Sequence, residues 1–198
     1  HRPDRVAHLA AETHVDRSID GPEAFVSTNV QGTATLLAAA TAYRDAVMRD
    51  LRFLHVSTDE VYGSIAPGVL SREGDPYRPN SPYAASKAAA DHFVRSWVKT
   101  YGLDAVISNC GNNYGPFQFP EKLIPLMIEK GLQGEPLPVY GDGLNERDWI
   151  HVDDHARALA AILEKGRTGE AYNVGARDPR TNLELSLIHI SEPTRLRR

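Results

Sequence analysis

The chain has 198 residues, 41% hydrophobic and 24% charged, with a formal net charge of −4, which suits one sizeable hydrophobic core and excludes a disordered or fibrous class. No Lys/Arg-rich run is present, and phosphate binding needs clustered cations. Nucleic acid is therefore excluded as a partner, and small molecules are the expected ligands.

The single cysteine, Cys110, excludes an intrachain disulfide and fits a reducing compartment. No apolar run approaches the roughly 20 residues that span a bilayer, and His1-Arg2-Pro3-Asp4 lacks a signal peptide's apolar stretch. A cytoplasmic protein without a membrane partner is expected.

Arg5 to Ala11 is a short apolar run that stops at Glu12-Thr13-His14, a buried strand leading into a polar loop. From Pro22 to Arg44, apolar residues at helical spacing (Phe25, Val26, Val30, Leu36, Leu37, Ala40) predict a long helix, capped by Asp20 or Gly21 and bent near Gly32. Arg52 to Thr58 predicts a second strand. Gly63 to Pro82 is a Gly- and Pro-rich loop, long enough to be functional or a lid. Tyr83 to Tyr101 returns to helical spacing and stops at Gly102. Asp104 to Asn109 predicts a third strand, followed by a turn-rich stretch from Gly111 to Pro116. Lys122 to Lys130 reads as a helix closed by Gly131, and Pro138-Val139-Tyr140 as a short strand before the turn Gly141-Asp142-Gly143. Asp153 or Asp154 would cap a helix to Lys165, and Ala171 to Val174 is a last strand. Strands alternating with helices predict an α/β protein, its parallel sheet covered on both faces.

The end of the chain is of a different kind. Leu185 to Arg195 back-translates, with permitted codons, to a string that resembles a transposase-type sequencing adapter. The expectation is that residues 185–198 are a translated artefact with no selected role, the alternative being a natural strand-like segment. Without their three Arg and one Glu the net charge would be −6.

Chemistry concentrates in two stretches. Tyr83 and Lys87 are four residues apart and share a helical face. A tyrosine, with an ordinary pKa of about 10, acts as a base near neutrality only if its proton affinity falls about a thousandfold, roughly 4 kcal/mol; a neighbouring ammonium supplies part of that. Alone, this spacing is common in helices. Thr58, Asp59 and Glu60 lie where the second strand ends, and ligands of open α/β sheets bind at such carboxyl ends. Asp59 and Glu60 can serve one substrate only if the strand has given way to a loop, since successive strand residues point to opposite faces. Two such carboxylates would then divide the roles of acid and base.

Other signals read as structure. His151-Val152-Asp153-Asp154-His155 has metal-ligand residue types, but Asp at a helix start is usually a cap, and no metal is expected. His55 reads as a core or loop-facing residue, Cys110 as a buried strand residue, and Phe93, Trp97 and Tyr101 as packing or a subunit interface.

Leu9-Ala10-Ala11-Glu12-Thr13-His14-Val15-Asp16-Arg17-Ser18, Ser57-Thr58-Asp59-Glu60-Val61-Tyr62-Gly63, Ser81-Pro82-Tyr83-Ala84-Ala85-Ser86-Lys87, Asn112-Asn113-Tyr114-Gly115-Pro116 and Arg147-Asp148-Trp149-Ile150-His151-Val152-Asp153-Asp154 resemble the extended short-chain dehydrogenase/reductases. Within them the resemblance is to the dTDP-glucose 4,6-dehydratases, and it covers residues 1 to about 184. It implies a partial Rossmann-type, doubly wound parallel sheet: residues 1–111 as an NAD-binding domain, 112–184 as mainly a substrate-binding subdomain, and 150–176 returning to the first domain.

It also implies roles. Tyr83, assisted by Lys87 and Thr58, would take the proton of a sugar 4-hydroxyl while NAD oxidises C4. Glu60 would then take the C5 proton and Asp59 would protonate the departing C6 hydroxyl, giving a 4-keto-6-deoxy sugar nucleotide. Ala10, Ala11, Glu12, Asn29, Ser57, Tyr83, Lys87 and Asn112 would contact NAD. His14, Asn113, Lys122, Leu123, Pro138, Tyr140, Arg147 and Asn182 would contact the nucleotide-diphosphate hexose, with Arg147 on the diphosphate. A homodimer through the Pro22 to Arg44 and Tyr83 to Tyr101 helices is implied as well.

The sequence shows no Gly-rich turn of the kind that cradles a pyrophosphate at a helix N-terminus. The corresponding expectation is a chain that enters at the fourth strand of such a domain, loses most NAD affinity with the missing loop and is itself inactive. Two alternatives stand beside the dehydratase: another NAD-dependent sugar-nucleotide enzyme, a 4-epimerase or decarboxylase, and a non-catalytic module that kept the motifs.

Overall fold

The computed structural model describes residues 2–47, 50–66, 68–137 and 142–191. The chain divides into two compact units, one formed by His1–Cys110 with Ala156–Val174 and the other by Gly111–His155 with Gly175–Arg198.

In the first unit, β1 (Arg5–His8), β2 (Arg52–Thr58), β3 (Asp104–Cys110) and β6 (Ala171–Val174) form one sheet in that order, and every neighbouring pair is parallel. Alternate residues of β2 and β3 serve opposite faces. Phe53, Ala105 and Ile107 pack with Leu37 and Ala40 of α3 (Gly32–Val47) and Val94 of α4 (Pro82–Tyr101). Leu54, Val56 and Val106 pack with Leu159, Ile162 and Leu163 of α6 (Val152–Lys165). A parallel sheet hydrophobic on both faces is the doubly wound α/β arrangement, and the fold is Rossmann-type.

The segment expected as one bent helix is three pieces: α2 (Pro22–Phe25), a π-helical turn (Val26–Gln31) and α3. The irregularity therefore lies just before Gly32. The loop after β1 also differs from expectation, since it contains a short helix, α1 (Val15–Asp20), whose N-terminus is capped by His14 Nδ1 accepting from Arg17 N at 3.5 Å. Its reason is tertiary: Ser18 of α1 is buried and its hydroxyl accepts the Tyr83 backbone N–H at 3.1 Å.

α4 is well delimited. Ser81 caps it by accepting from Ala84 N, Pro82 occupies its first turn, and Gly102 ends it at φ 63° with its N–H returned to the helix carbonyls. The long segment before α4 is fastened at several points to the sheet unit. Arg78 N donates to Val61 O at 2.9 Å, and Asn173 Nδ2 donates to Ser71 O at 3.0 Å. Gly63 turns the chain at φ 78°, and a Cβ there would collide with the Arg78 carbonyl.

In the second unit, β5 (Glu146–His151) pairs parallel with β4 (Asn112–Tyr114) and antiparallel with β7 (Pro179–Thr181). α5 (Leu123–Gln133) runs past Gly131 and is closed by Gly134 at φ 70°, three residues beyond the expected stop. Asp153 and Asp154 lie in the first turn of α6 rather than at its cap. The expected strand Pro138-Val139-Tyr140 lies outside the described residues. α7 (Asn182–Ser191) crosses the position at which the non-native tail was expected to begin, and it is helical, not strand-like. No helix among the described residues is long and apolar enough to cross a membrane.

Candidate active site

β2 stops at Thr58, and Asp59–Tyr62 forms a single 3-10 turn. That change of backbone is what removes the strand alternation from Asp59 and Glu60. Thr58 Oγ1 accepts from Glu60 N at 3.2 Å, capping the turn, and donates to Asp59 Oδ1 at 3.3 Å. The Tyr83 hydroxyl bonds with Thr58, and the Glu60 and Asp59 charges act on it. Thr58, Asp59, Glu60 and Tyr83 thus form one cluster at the carboxyl end of the sheet.

Burial first, and then the Glu60 charge, push the Tyr83 phenol well above its usual range, while the Thr58 bond opposes them. Lys87 Nζ donates to Val56 O at 2.8 Å, and burial drives its own proton affinity down. Lysine and tyrosine share α4, and one donor of the Lys87 side chain reaches the β2 backbone.

A second set of bonds fixes the loop after β1 relative to α4. Asn29, buried in the π-helical turn, accepts from Glu12 N at 2.9 Å and donates to Glu12 O at 3.0 Å. Its amide also donates to Ser86 Oγ at 2.9 Å, and Ser86 donates to Tyr83 O at 2.7 Å. Ala10 and Ala11 precede this clamp, Ala10 exposed and Ala11 half-buried, and Ser57 lies buried on β2. His14 stands at the α1 cap.

The remaining expected residues belong to the second unit. Asn112 and Asn113 lie on β4 opposite Trp149 and Ile150, and Lys122 caps α5, which Leu123 begins. Arg147 is exposed on β5, where its register partner is Arg180 of β7. Asn182 begins α7 and donates from its backbone to Asn145 O at 3.2 Å. Pro138 and Tyr140 lie outside the described residues. Among the described residues no group of three His, Cys, Asp or Glu side chains is placed to hold a metal.

Sequence reasoning missed the polar layer beneath α4. Asp91, His55, Tyr77 and Asn109 meet there, with Tyr77 and Asn109 donating to Asp91 Oδ2 at 2.9 and 3.2 Å. The available signal was a carboxylate one helical turn after Lys87 on an otherwise apolar face.

A parallel sheet whose carboxyl edge carries a Tyr-x-x-x-Lys helix beside a Thr-Asp-Glu turn defines a Rossmann-type protein of the extended short-chain dehydrogenase/reductase class. The family model described as GDP-mannose 4,6 dehydratase matches residues 1–195, and the chain belongs to that family. The dTDP-glucose 4,6-dehydratase of Xanthomonas campestris pv. campestris is 58% identical over 189 residues, covering 93% of this chain and 54% of that protein. The crystal structure of DesIV, a dTDP-glucose 4,6-dehydratase from Streptomyces venezuelae with NAD and TYD bound, matches with a TM-score of 0.89 at 53% identity, covering 95% of this chain and 56% of that one. The UDP-glucose 4-epimerase of Thermus thermophilus in complex with NAD gives a TM-score of 0.86 at 34% identity, covering 94% of this chain and 60% of that one. The chain spans about half the length of the curated relatives it matches.

Proposed function

We propose that the protein to which this chain belongs is an NAD-dependent dTDP-glucose 4,6-dehydratase, a lyase whose net reaction removes water from the sugar. The observation that carries this reading is the Asp59-Glu60 turn beside Tyr83: a proton-transfer tyrosine alone serves many oxidations, whereas two further carboxylates at the same edge serve an elimination. The higher identity to proteins named dTDP-glucose 4,6-dehydratase than to the UDP-glucose 4-epimerase supports it.

The residues at the sheet edge fit the nicotinamide-ribose end of NAD. Lys87 offers a buried ammonium at the end of β2, Ser57 a buried hydroxyl, and Asn29 holds both backbone groups of Glu12 beside Ala10 and Ala11. Bound NAD supplies the reversible oxidation at C4 that makes the C5 hydrogen acidic, together with a cationic ring near the tyrosine. Tyr83 accepts the proton of the sugar 4-hydroxyl and passes it on to solvent, because C4 remains a ketone in the product. Burial raises the proton affinity of its phenol, the Thr58 bond opposes that, and a nearby positive charge would lower it further. Glu60 accepts the C5 proton and Asp59 gives a proton to the departing C6 hydroxyl, so one water leaves; with the hydride taken from C4 given back at C6, Glu60 would return its proton to C5, which balances to the 4-keto-6-deoxy product. Asn112 is assigned to the cofactor. Asn113, Lys122, Leu123, Arg147 and Asn182 are assigned to the nucleotide sugar, with His14 near the hexose, and the Arg147 fork suits a diphosphate.

A homodimer through α3 and α4 is part of the same reading, supported by exposed Leu36, Phe93 and Tyr101 on those helices. A cytoplasmic location is part of the same reading, supported by a single cysteine, Cys110, in the sequence.

The test uses the full-length gene product encoded around this sequence in its source DNA, incubated with dTDP-glucose and NAD. Formation of the 4-keto-6-deoxy product is expected, and a 4-epimer or no turnover would refute the reading. Asp59→Asn with Glu60→Gln should spare oxidation at C4 and block water loss; unchanged dehydration would contradict their roles.

A further inference from the structure

One helical turn beyond Lys87 on α4 lies Asp91, a carboxylate with 0% exposure that takes no part in the proton steps above. Three other pieces of the fold converge on it. From β2, His55 Nε2 stands 3.3 Å from Asp91 Oδ1, both side chains being fully buried, and Ser57 faces the same carboxylate. From β3, Asn109 Nδ2 donates to Asp91 Oδ2 at 3.2 Å and to Thr58 O at 3.2 Å. From the segment before α4, the Tyr77 hydroxyl donates at 2.9 Å and is itself held by Arg95 Nη2 at 3.2 Å.

A buried carboxylate is costly unless donors or a cation compensate it. Burial would raise the Asp91 pKa, but the adjacent His55 ring first, and then Ser57 and the Tyr77 hydroxyl, hold it below the usual carboxylate range. Burial also holds His55 below its ordinary value, which favours the neutral ring and leaves the Asp91 charge facing Lys87. Lys87, 3% exposed, is pushed toward the free amine by burial, and Asp91 is the foremost group opposing that. The other titratable groups that the charges of the pair act on or are acted on by include His8 on β1, Cys110 on β3 and Tyr62 in the 3-10 turn.

We propose that Asp91 is the positioning residue of this site: it locks β2, β3 and the segment before α4 onto the catalytic helix, and it supplies the counter-charge for the Lys87 ammonium. Asp91 touches neither substrate nor cofactor in this role and acts through Lys87. The inference rests on the assignment of Lys87 to the dehydratase site, but its test needs neither substrate nor NAD.

Isotope-edited NMR of lysine in the full-length protein would follow the Lys87 ammonium, identified by its loss in Lys87→Met. In Asp91→Asn the Lys87 titration midpoint is expected to fall by about one pH unit, a roughly tenfold loss of proton affinity, and Asp91→Glu should restore most of it. A folded Asp91→Asn protein with an unmoved Lys87 midpoint overturns the proposal. If Asp91→Asn does not fold, the reciprocal measurement decides, because coupling between two charges acts equally on both. The Asp91 carboxyl midpoint must then rise in Lys87→Met, and no rise overturns the proposal. Loss of dehydration in the substrate assay with normal charge coupling would refute the function and leave the Asp91 role standing.

Discussion

On the α6 side of the four-stranded sheet, Leu54, Val56 and Val106 meet Leu159, Ile162 and Leu163 through aliphatic contact. On the α4 side, the same strands present His55, Ser57 and Asn109 to a buried Asp91, alongside the apolar contacts of Phe53 and Ile107. The two faces differ by one residue of strand register, because neighbouring residues of β2 point oppositely. Hydrocarbon on the first face contributes stability that is insensitive to pH. The second face places charge beneath the tyrosine-lysine helix, and its stability depends on protonation state.

The largest effect of a single substitution that tests this contrast is expected from Leu54→Ala, which should cost about 2–5 kcal/mol in denaturant unfolding. The loss should be the same at neutral and mildly acidic pH. A pH-dependent loss would show that the α6 face is not independent of the polar layer.

Acidification probes the other face. Burial first, and then the neighbouring His55 and Lys87 groups, push the His8 pKa down to about 4, and burial lowers that of His55 also. Both rings therefore stay neutral in the fold where the unfolded chain already binds protons. Stability should fall as pH drops from about 6.5 toward 4, by at most about 1.4 kcal/mol per pH unit for each histidine. Asp91 adds a later loss. Its depressed pKa gives stability that is present above the unfolded value and disappears as pH falls through the folded one. Unfolding midpoints measured across this window, in the parent and in His8→Asn, would test the sign, and the variant should show a shallower slope.

A smaller effect is expected from Tyr77→Phe. It removes the hydroxyl that donates to Asp91 and accepts from Arg95, and should cost about 1.5–3 kcal/mol. Faster proteolysis between residues 63 and 81 should accompany it; unchanged cleavage would show that other bonds hold the segment. The smallest effect is expected from Ser81→Ala, which deletes the α4 cap at about 1 kcal/mol and is readable as a lowered thermal midpoint.

The parallel α/β class was legible because the strands carry unbroken apolar runs and the long helices carry their own punctuation. Arg52–Thr58 and Ala171–Val174 coincide with the runs that predicted them. Short elements were not legible where distant residues make them. β4, β5 and β7 pair segments far apart in sequence, and α1 is held in place by Ser18 bonding to Tyr83. Gly131 misled as a helix stop because two glycines lie three residues apart, and only Gly134 adopts the left-handed conformation. The Tyr83, Lys87 and Thr58-Asp59-Glu60 groups could be found from local spacing. Asp91 could not be given a role that way, because its partners arrive from two strands and a loop.

The π-helical turn carries a further implication. It holds an extra residue relative to a regular α-helix, and Asn29 sits within it. Deleting a single residue between 26 and 31 would close the wide turn into regular α-helix and shift the residues within it, while the flanking helix stays in phase. An asparagine still present in the sequence would then no longer face both Glu12 and Ser86. The tether from the loop after β1 to the catalytic helix is therefore encoded in a residue count as much as in a residue identity, and a one-residue gap here changes the site without altering any functional side chain.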